Sequence, residues 1–126
     1  MRLRALLVIF ATLCVSVLMS SAARAACLIT PFTFYATQND SVATSVVITN
    51  GSSCILRFVS HNTLVFESVS VASPPNVGTA SSAGTFEIRY KPKAGFKGSD
   101  RLSLKVCGKG RTGQGCSTIT YNFSIN

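Results

Sequence analysis

The stretch Cys116-Ser117-Thr118-Ile119-Thr120-Tyr121-Asn122-Phe123-Ser124-Ile125-Asn126 alternates along its whole length. Ile119, Tyr121, Phe123 and Ile125 fall on one side of an extended chain, and Thr118, Thr120, Asn122 and Ser124 fall on the other. A period of two marks a strand with one face in a core and one in water. The same rhythm returns upstream. Residues 100–107 turn Leu102, Leu104 and Val106 inward and Arg101, Ser103, Lys105 and Cys107 outward. Residues 85–91 turn Phe86, Ile88 and Tyr90 inward, against Glu87, Arg89 and Lys91. Residues 42–49 set Val42, Val46 and Ile48 on one side, and Asn50-Gly51 after them reads as a tight hairpin turn. Residues 28–36, 54–60 and 64–71 complete a set of seven, with turn signals such as Pro74-Pro75 and Gly95 between them. No apolar pattern persists at helical spacing. Seven short strands in about 100 residues predict an all-β fold, a seven-stranded antiparallel β-sandwich.

Composition agrees with one small domain. The sequence has 126 residues, 47% hydrophobic and 13% charged, with a formal net charge of +8. That excludes a disordered tail, a coiled coil and a multi-domain enzyme. Part of the hydrophobicity stands apart from the strands. Residues 1–25 open with Arg2 and Arg4, run apolar from Ala5 to Met19 and end Ala23-Arg24-Ala25. A basic start, a short apolar run and a small-x-small terminus describe a signal peptide cleaved after Ala25. The apolar run is short for a membrane anchor, which needs ~20 residues. Arg24 stands where a lipoprotein signal carries an apolar residue before its cysteine, which argues against lipidation of Cys27. The domain is then 26–126, exported to the periplasm or the extracellular space, with no transmembrane segment after cleavage.

Four of the five cysteines remain after cleavage: Cys27, Cys54, Cys107 and Cys116. An even number in a small exported domain points to two disulfides. Cys107 and Cys116 share the outward parity of their strands, and half of the eight residues between them are glycine. An antiparallel hairpin in that register sets the two side by side, which leaves Cys27 to pair with Cys54. The spacings do not form CxxC-type clusters, so no metal site is expected.

The segments Pro74-Pro75-Asn76-Val77-Gly78-Thr79 and Tyr90-Lys91-Pro92-Lys93-Ala94-Gly95-Phe96-Lys97-Gly98-Ser99-Asp100-Arg101-Leu102 carry a further signal. They resemble the repeat motif of bacterial Ig-like and cadherin-like extracellular domains, a Pro-x-x-Gly turn followed by Tyr-x-Pro-x-x-Gly-Phe-x-Gly-x-Asp. The resemblance covers about a third of the domain and implies a seven-stranded Ig-like sandwich serving in adhesion, as a stalk or as a spacer. Leu102 replaces the family's usual aromatic, and the motif occurs in one copy where the family often has tandem arrays. The residues themselves support a structural turn. Pro92 fixes φ, Gly95 and Gly98 allow turns closed to larger residues, Phe96 tucks under the crossover, and Asp100 accepts backbone N–H groups. Calcium ligation by Asp100 would need clustered acidic partners, and Asp40, Glu67 and Glu87 are far from it in sequence.

Signals for catalysis are thin. His61, the only histidine, reads as a solvated turn residue beside Asn62. No GxSxG or Ser-x-x-Lys motif accompanies it. Gly108-Lys109-Gly110-Arg111-Thr112-Gly113 matches G-x-G-x-x-G, but a strand follows it where a dinucleotide site needs a helix. The expectation is a protein without enzymatic activity or cofactor.

Charge placement is the unusual feature. Arg89, Lys91, Lys93, Lys97, Arg101, Lys105, Lys109 and Arg111 fall within 23 residues, with only Asp100 and its single negative charge among them. If gathered on one face, these side chains form an anion-binding surface for acidic polysaccharide, lipopolysaccharide or anionic lipid head groups. Few aromatics interleave with them, which argues against nucleic acid. The leading expectation is a secreted or periplasmic binding module. The alternative is a structural or protein–protein interaction module of the envelope, docking through a free sheet edge, with incidental charge.

Overall fold

The computed structural model describes residues 24–126, so the signal peptide expected over residues 1–25 lies outside the described residues except for its last two positions. Eight strands form: β1 (Ala26–Ile29), β2 (Ser41–Thr49), β3 (Cys54–Arg57), β4 (Leu64–Ser73), β5 (Thr79–Gly84), β6 (Glu87–Lys91), β7 (Gly98–Gly110) and β8 (Gly113–Ile125). They build two sheets, one ordered β1-β2-β8-β7-β4 and the other β3-β6-β5. The expected all-β, two-sheet architecture is present, but the expectation of seven strands, all antiparallel, needs correction. β2 runs parallel to β8, from Ser41 opposite Thr118 to Ile48 opposite Ile125.

Three local features explain the differences. First, the strand expected over 28–36 stops at Ile29. The Thr30 amide still donates to Ser45 O at 2.9 Å, but Pro31 has no N–H to continue the ladder. The chain leaves the sheet and crosses the end of the molecule through a 3-10 turn, Ala36–Gln38, closed by Asn39 at φ 54°. Second, Asn50 and Gly51 adopt φ 51° and 68° and close a tight turn, with Ser52 N–H donating to Thr49 O. The turn forms no hairpin, because β3 joins the other sheet. Third, β5 is invisible to an apolar pattern: in Thr79-Ala80-Ser81-Ser82-Ala83-Gly84 the apolar side chains are two alanines three residues apart, which gives no period of two.

The core lies between the sheets. Leu102, Leu104 and Val106 of β7 and Ile119, Tyr121, Phe123 and Ile125 of β8 are buried against Cys54 and Leu56 of β3 and Ile88 and Tyr90 of β6. The Tyr90 and Phe123 rings stack with centroids 3.9 Å apart. Each such large side chain contributes about 1.5–3 kcal/mol by leaving water.

Two disulfides fix the strands. Cys107 and Cys116 face each other across the β7–β8 hairpin with Cα atoms 4.0 Å apart. Cys27 of β1 joins Cys54 of β3, Cα atoms 5.6 Å apart, and so ties one sheet to the other. Restricting the unfolded chain over these loops contributes about 2.6 and 3.5 kcal/mol respectively.

Candidate functional site

Asp100 shares the inward parity of Leu102, Leu104 and Val106, so its carboxylate points into the molecule, and it is 6% exposed. There it receives a full set of donors. Asn76 N–H reaches Oδ1 at 2.9 Å, Gly78 N–H reaches Oδ2 at 2.8 Å, and Val77 N–H lies 3.4 Å from both oxygens. Arg101 N–H adds 2.9 Å to Oδ1, and the Tyr90 hydroxyl donates to Oδ2 at 2.7 Å. Burial alone would raise this carboxyl's pKa. The hydrogen bonds from Gly78, Tyr90, Arg101 and Asn76 outweigh it and hold the group below the usual carboxylate range. Tyr90 moves the other way, pushed up by burial and then by its bond to Asp100, and so stays a donor.

The neighbouring turn residues share this work. Pro92 is buried, and Phe96 N–H donates to Lys93 O at 3.0 Å around Gly95, whose φ is 75°. Phe96 packs against the core beside Gly98, φ 140°. A Cβ on Gly78 would stand 2.6 Å from both Lys91 O and the Tyr90 hydroxyl, so only glycine fits there.

With Asp100 consumed internally, it neutralises none of the surface cations. All eight basic residues from Arg89 to Arg111 are exposed, and the ion pair found among the described residues joins Arg57 to Glu87 instead. The eight do not form one face. Arg89 and Lys91 lie on β6 in the three-stranded sheet, while Arg101, Lys105 and Lys109 lie on β7 in the five-stranded one. Lys93 and Lys97 occupy the connection between those strands, and Arg111 sits at the tip of the β7–β8 hairpin.

Arg101, Lys105 and Lys109 form the more ordered group. They recur every fourth residue on the outer side of β7, about 13 Å apart along the strand. Arg101 lies opposite Asn122 and donates from Nε to its Oδ1 at 3.0 Å, and Lys105 lies opposite Thr118 and Ser70. Ser103 and Thr120 hydrogen-bond between them at 2.9 Å. The outward positions of β7 and β8 hold mainly hydroxyls, amides and cations; β2 adds Ala43 and Val47, and exposed Glu67 of β4 lines a hollow with Lys109.

The hairpin tip adds a cleft that strand periodicity does not disclose. The crossover after Pro31 lies across the glycines of the tip. A Cβ on Gly115 would meet Thr37 O at 2.7 Å, and one on Gly108 would meet Leu64 at 3.0 Å and Ala36 at 3.3 Å. Of the glycines in the G-x-G-x-x-G match, Gly108 and Gly110 give such clearance, whereas Gly113 has open space around it. Buried Ser117 pins the crossover: its Oγ accepts from Asp40 N–H at 3.0 Å and donates to Tyr35 O at 3.0 Å. Its sequence signal is a polar residue at an inward position of the best-patterned strand.

Between the crossover and the turn at His61 opens a cleft of about 450 Å³, lined by Phe34, Tyr35, Thr37, His61, Thr63, Leu64, Arg111 and Thr112 among others. Tyr35 is 59% exposed. His61 stands exposed in a tight turn, its Nδ1 2.9 Å from Thr63 Oγ1 and 3.4 Å from the Thr63 amide. No three His, Cys, Asp or Glu side chains among the described residues are grouped to hold a metal. No helix among those residues is long and apolar enough to cross a membrane. Comparison with protein families and with curated proteins finds no match to this chain.

Proposed function

We propose that the chain is an exported, non-enzymatic Ig-like module that binds acidic polymers of the cell envelope through the cationic outer side of β7. The observation that carries this reading is the row of Arg101, Lys105 and Lys109 on a hydroxyl-rich sheet face where Glu67 of β4 is the one carboxylate near the row, at its Lys109 end, among the described residues. Exposed cations on one sheet face raise the local concentration of polyanions and give salt-dependent binding.

Strand order supports the Ig-like assignment. When β3 to β8 are lettered B to G, the sheets become B-E-D and G-F-C, the arrangement of a seven-stranded Ig domain. The first strand of that plan corresponds to β2, here paired in parallel with G, and β1 is added outside it. The two disulfides support export to an oxidising compartment, periplasmic or extracellular.

The sheet edges favour the charged face over docking by strand addition. β1 and β3 are four residues long, β5 carries one register shift, and the ten-residue β4 carries two. Short and bulged edges pair poorly with a second chain.

Retention of the protein on immobilised lipopolysaccharide or acidic polysaccharide, titrated with salt, tests the reading. Retention should collapse between low and moderate ionic strength and fall at least tenfold in the Lys105→Glu, Lys109→Glu double variant. A Lys93→Glu, Lys97→Glu variant, altered at the other end of β7, should lose less. Binding indifferent to salt and to the β7 reversals overturns the proposal.

A further inference from the structure

We infer that the cleft beside the hairpin tip is a binding site for a single carboxylated sugar ring. The inference deepens the reading above by naming a ligand for the same end of the polymer-binding surface, and it rests on that reading for its biological setting.

Three observations carry it. The first is shape. About 450 Å³ is within the range of small-molecule sites and holds one or two sugar rings. The site is built by the chain's own constraints: Gly110 lines it, Gly108 and Gly115 let the crossover approach the hairpin closely, and Ser117 holds that crossover at Tyr35 and Ala36.

The second is the mixture of surfaces. Tyr35 lines the cleft and keeps 59% of its surface in solvent, so its ring is open to a ligand. An exposed aromatic beside a concave site suits the apolar C–H face of a pyranose. Thr37, Thr63 and Thr112 supply hydroxyls that both donate and accept, as a polyol requires.

The third is charge. Arg111 is the charged residue of the lining, and no carboxylate lines the cleft with it. A guanidinium offers paired donors to a carboxylate, which selects an acidic sugar over a neutral one. His61 stands on the facing wall, with Nδ1 engaged by Thr63.

The test is a titration of the ¹⁵N-labelled, disulfide-intact protein with D-glucuronate, D-glucose and acetate, followed by amide chemical shifts. D-glucuronate should shift the amides of Tyr35, Thr37, Thr63, Arg111 and Thr112 saturably, with a Kd of about 1 mM, as befits a small open site. Glucose and acetate should each bind at least tenfold more weakly. Arg111→Gln should bring glucuronate to the level of glucose, and Tyr35→Ala should weaken both sugars. Both residues are exposed, so a well-dispersed spectrum of each variant verifies that the fold is kept.

No saturable shift at those amides overturns the inference, as does an equal response to acetate or an Arg111→Gln variant that binds glucuronate unchanged. The two readings fail separately. Salt-sensitive retention on polymer without cleft shifts removes the sugar site and leaves the cationic face standing. Cleft shifts without polymer retention do the reverse.

Discussion

The Tyr90 hydroxyl donates to Asp100 Oδ2 at 2.7 Å, linking an inward residue of β6 to an inward residue of β7 and hence one sheet to the other. The loop of residues 74–78 supplies three amides to the same carboxylate. Two segments more than ten residues apart in sequence thus meet on a single side chain, and the first tests of the fold belong there.

Asp100→Ala should destabilise the protein by about 2–4 kcal/mol, because buried amides and a buried hydroxyl lose their acceptor. Tyr90→Phe removes one donor and keeps the ring stacked on Phe123, so its cost should be about 1 kcal/mol. Urea unfolding midpoints at neutral pH measure both. Equal losses in the two variants would contradict a carboxylate-centred network.

The acid limb of stability follows from the same group. Asp100 has a folded pKa below its unfolded value of about 3.9, so its contribution is present above that value. It is lost as pH falls through the lower folded pKa, when the native carboxylate finally protonates. Thermal melts from pH 5 to pH 2 should show a steeper decline for the wild type than for Asp100→Asn. Parallel curves would mean that other carboxylates govern acid unfolding.

Two glycines separate steric from conformational causes. Gly78→Ala puts a methyl group 2.6 Å from the Lys91 carbonyl and the Tyr90 hydroxyl, and should cost about 3 kcal/mol. Gly51 has open space around it but a φ of 68°, so Gly51→Ala should cost about 1 kcal/mol. Chemical denaturation of the pair gives the comparison, and a larger loss at Gly51 would count against the close packing of the 74–78 loop.

The disulfides should differ in the same assay. Removing Cys107 and Cys116 together as alanines should cost about 2.6 kcal/mol, and removing Cys27 and Cys54 about 3.5 kcal/mol from loop length alone. The second pair also loses buried sulfur at Cys54, which deepens its deficit. A smaller loss for the inter-sheet bridge would show that β1 is held by its ladder to β2, independent of the bridge.

Sequence alone determined the inward and outward faces of β7 and β8, because a two-residue period with large apolar side chains states its own burial. It also brought Cys107 and Cys116 to the same face of an expected glycine-rich hairpin, whose register the pairing of β7 with β8 then fixed, and it marked Asp100 as a turn acceptor. Tertiary structure decided everything that depends on which strands become neighbours. Pairing of β2 with β8 rather than β3, separation of Arg89 and Lys91 from Arg101, Lys105 and Lys109, and the cleft at Tyr35 and Arg111 all arise from contacts between distant segments. A strand's periodicity records its distance from the core, not the identity of the chain beside it, so such neighbours are chosen only when the sheets close over one another.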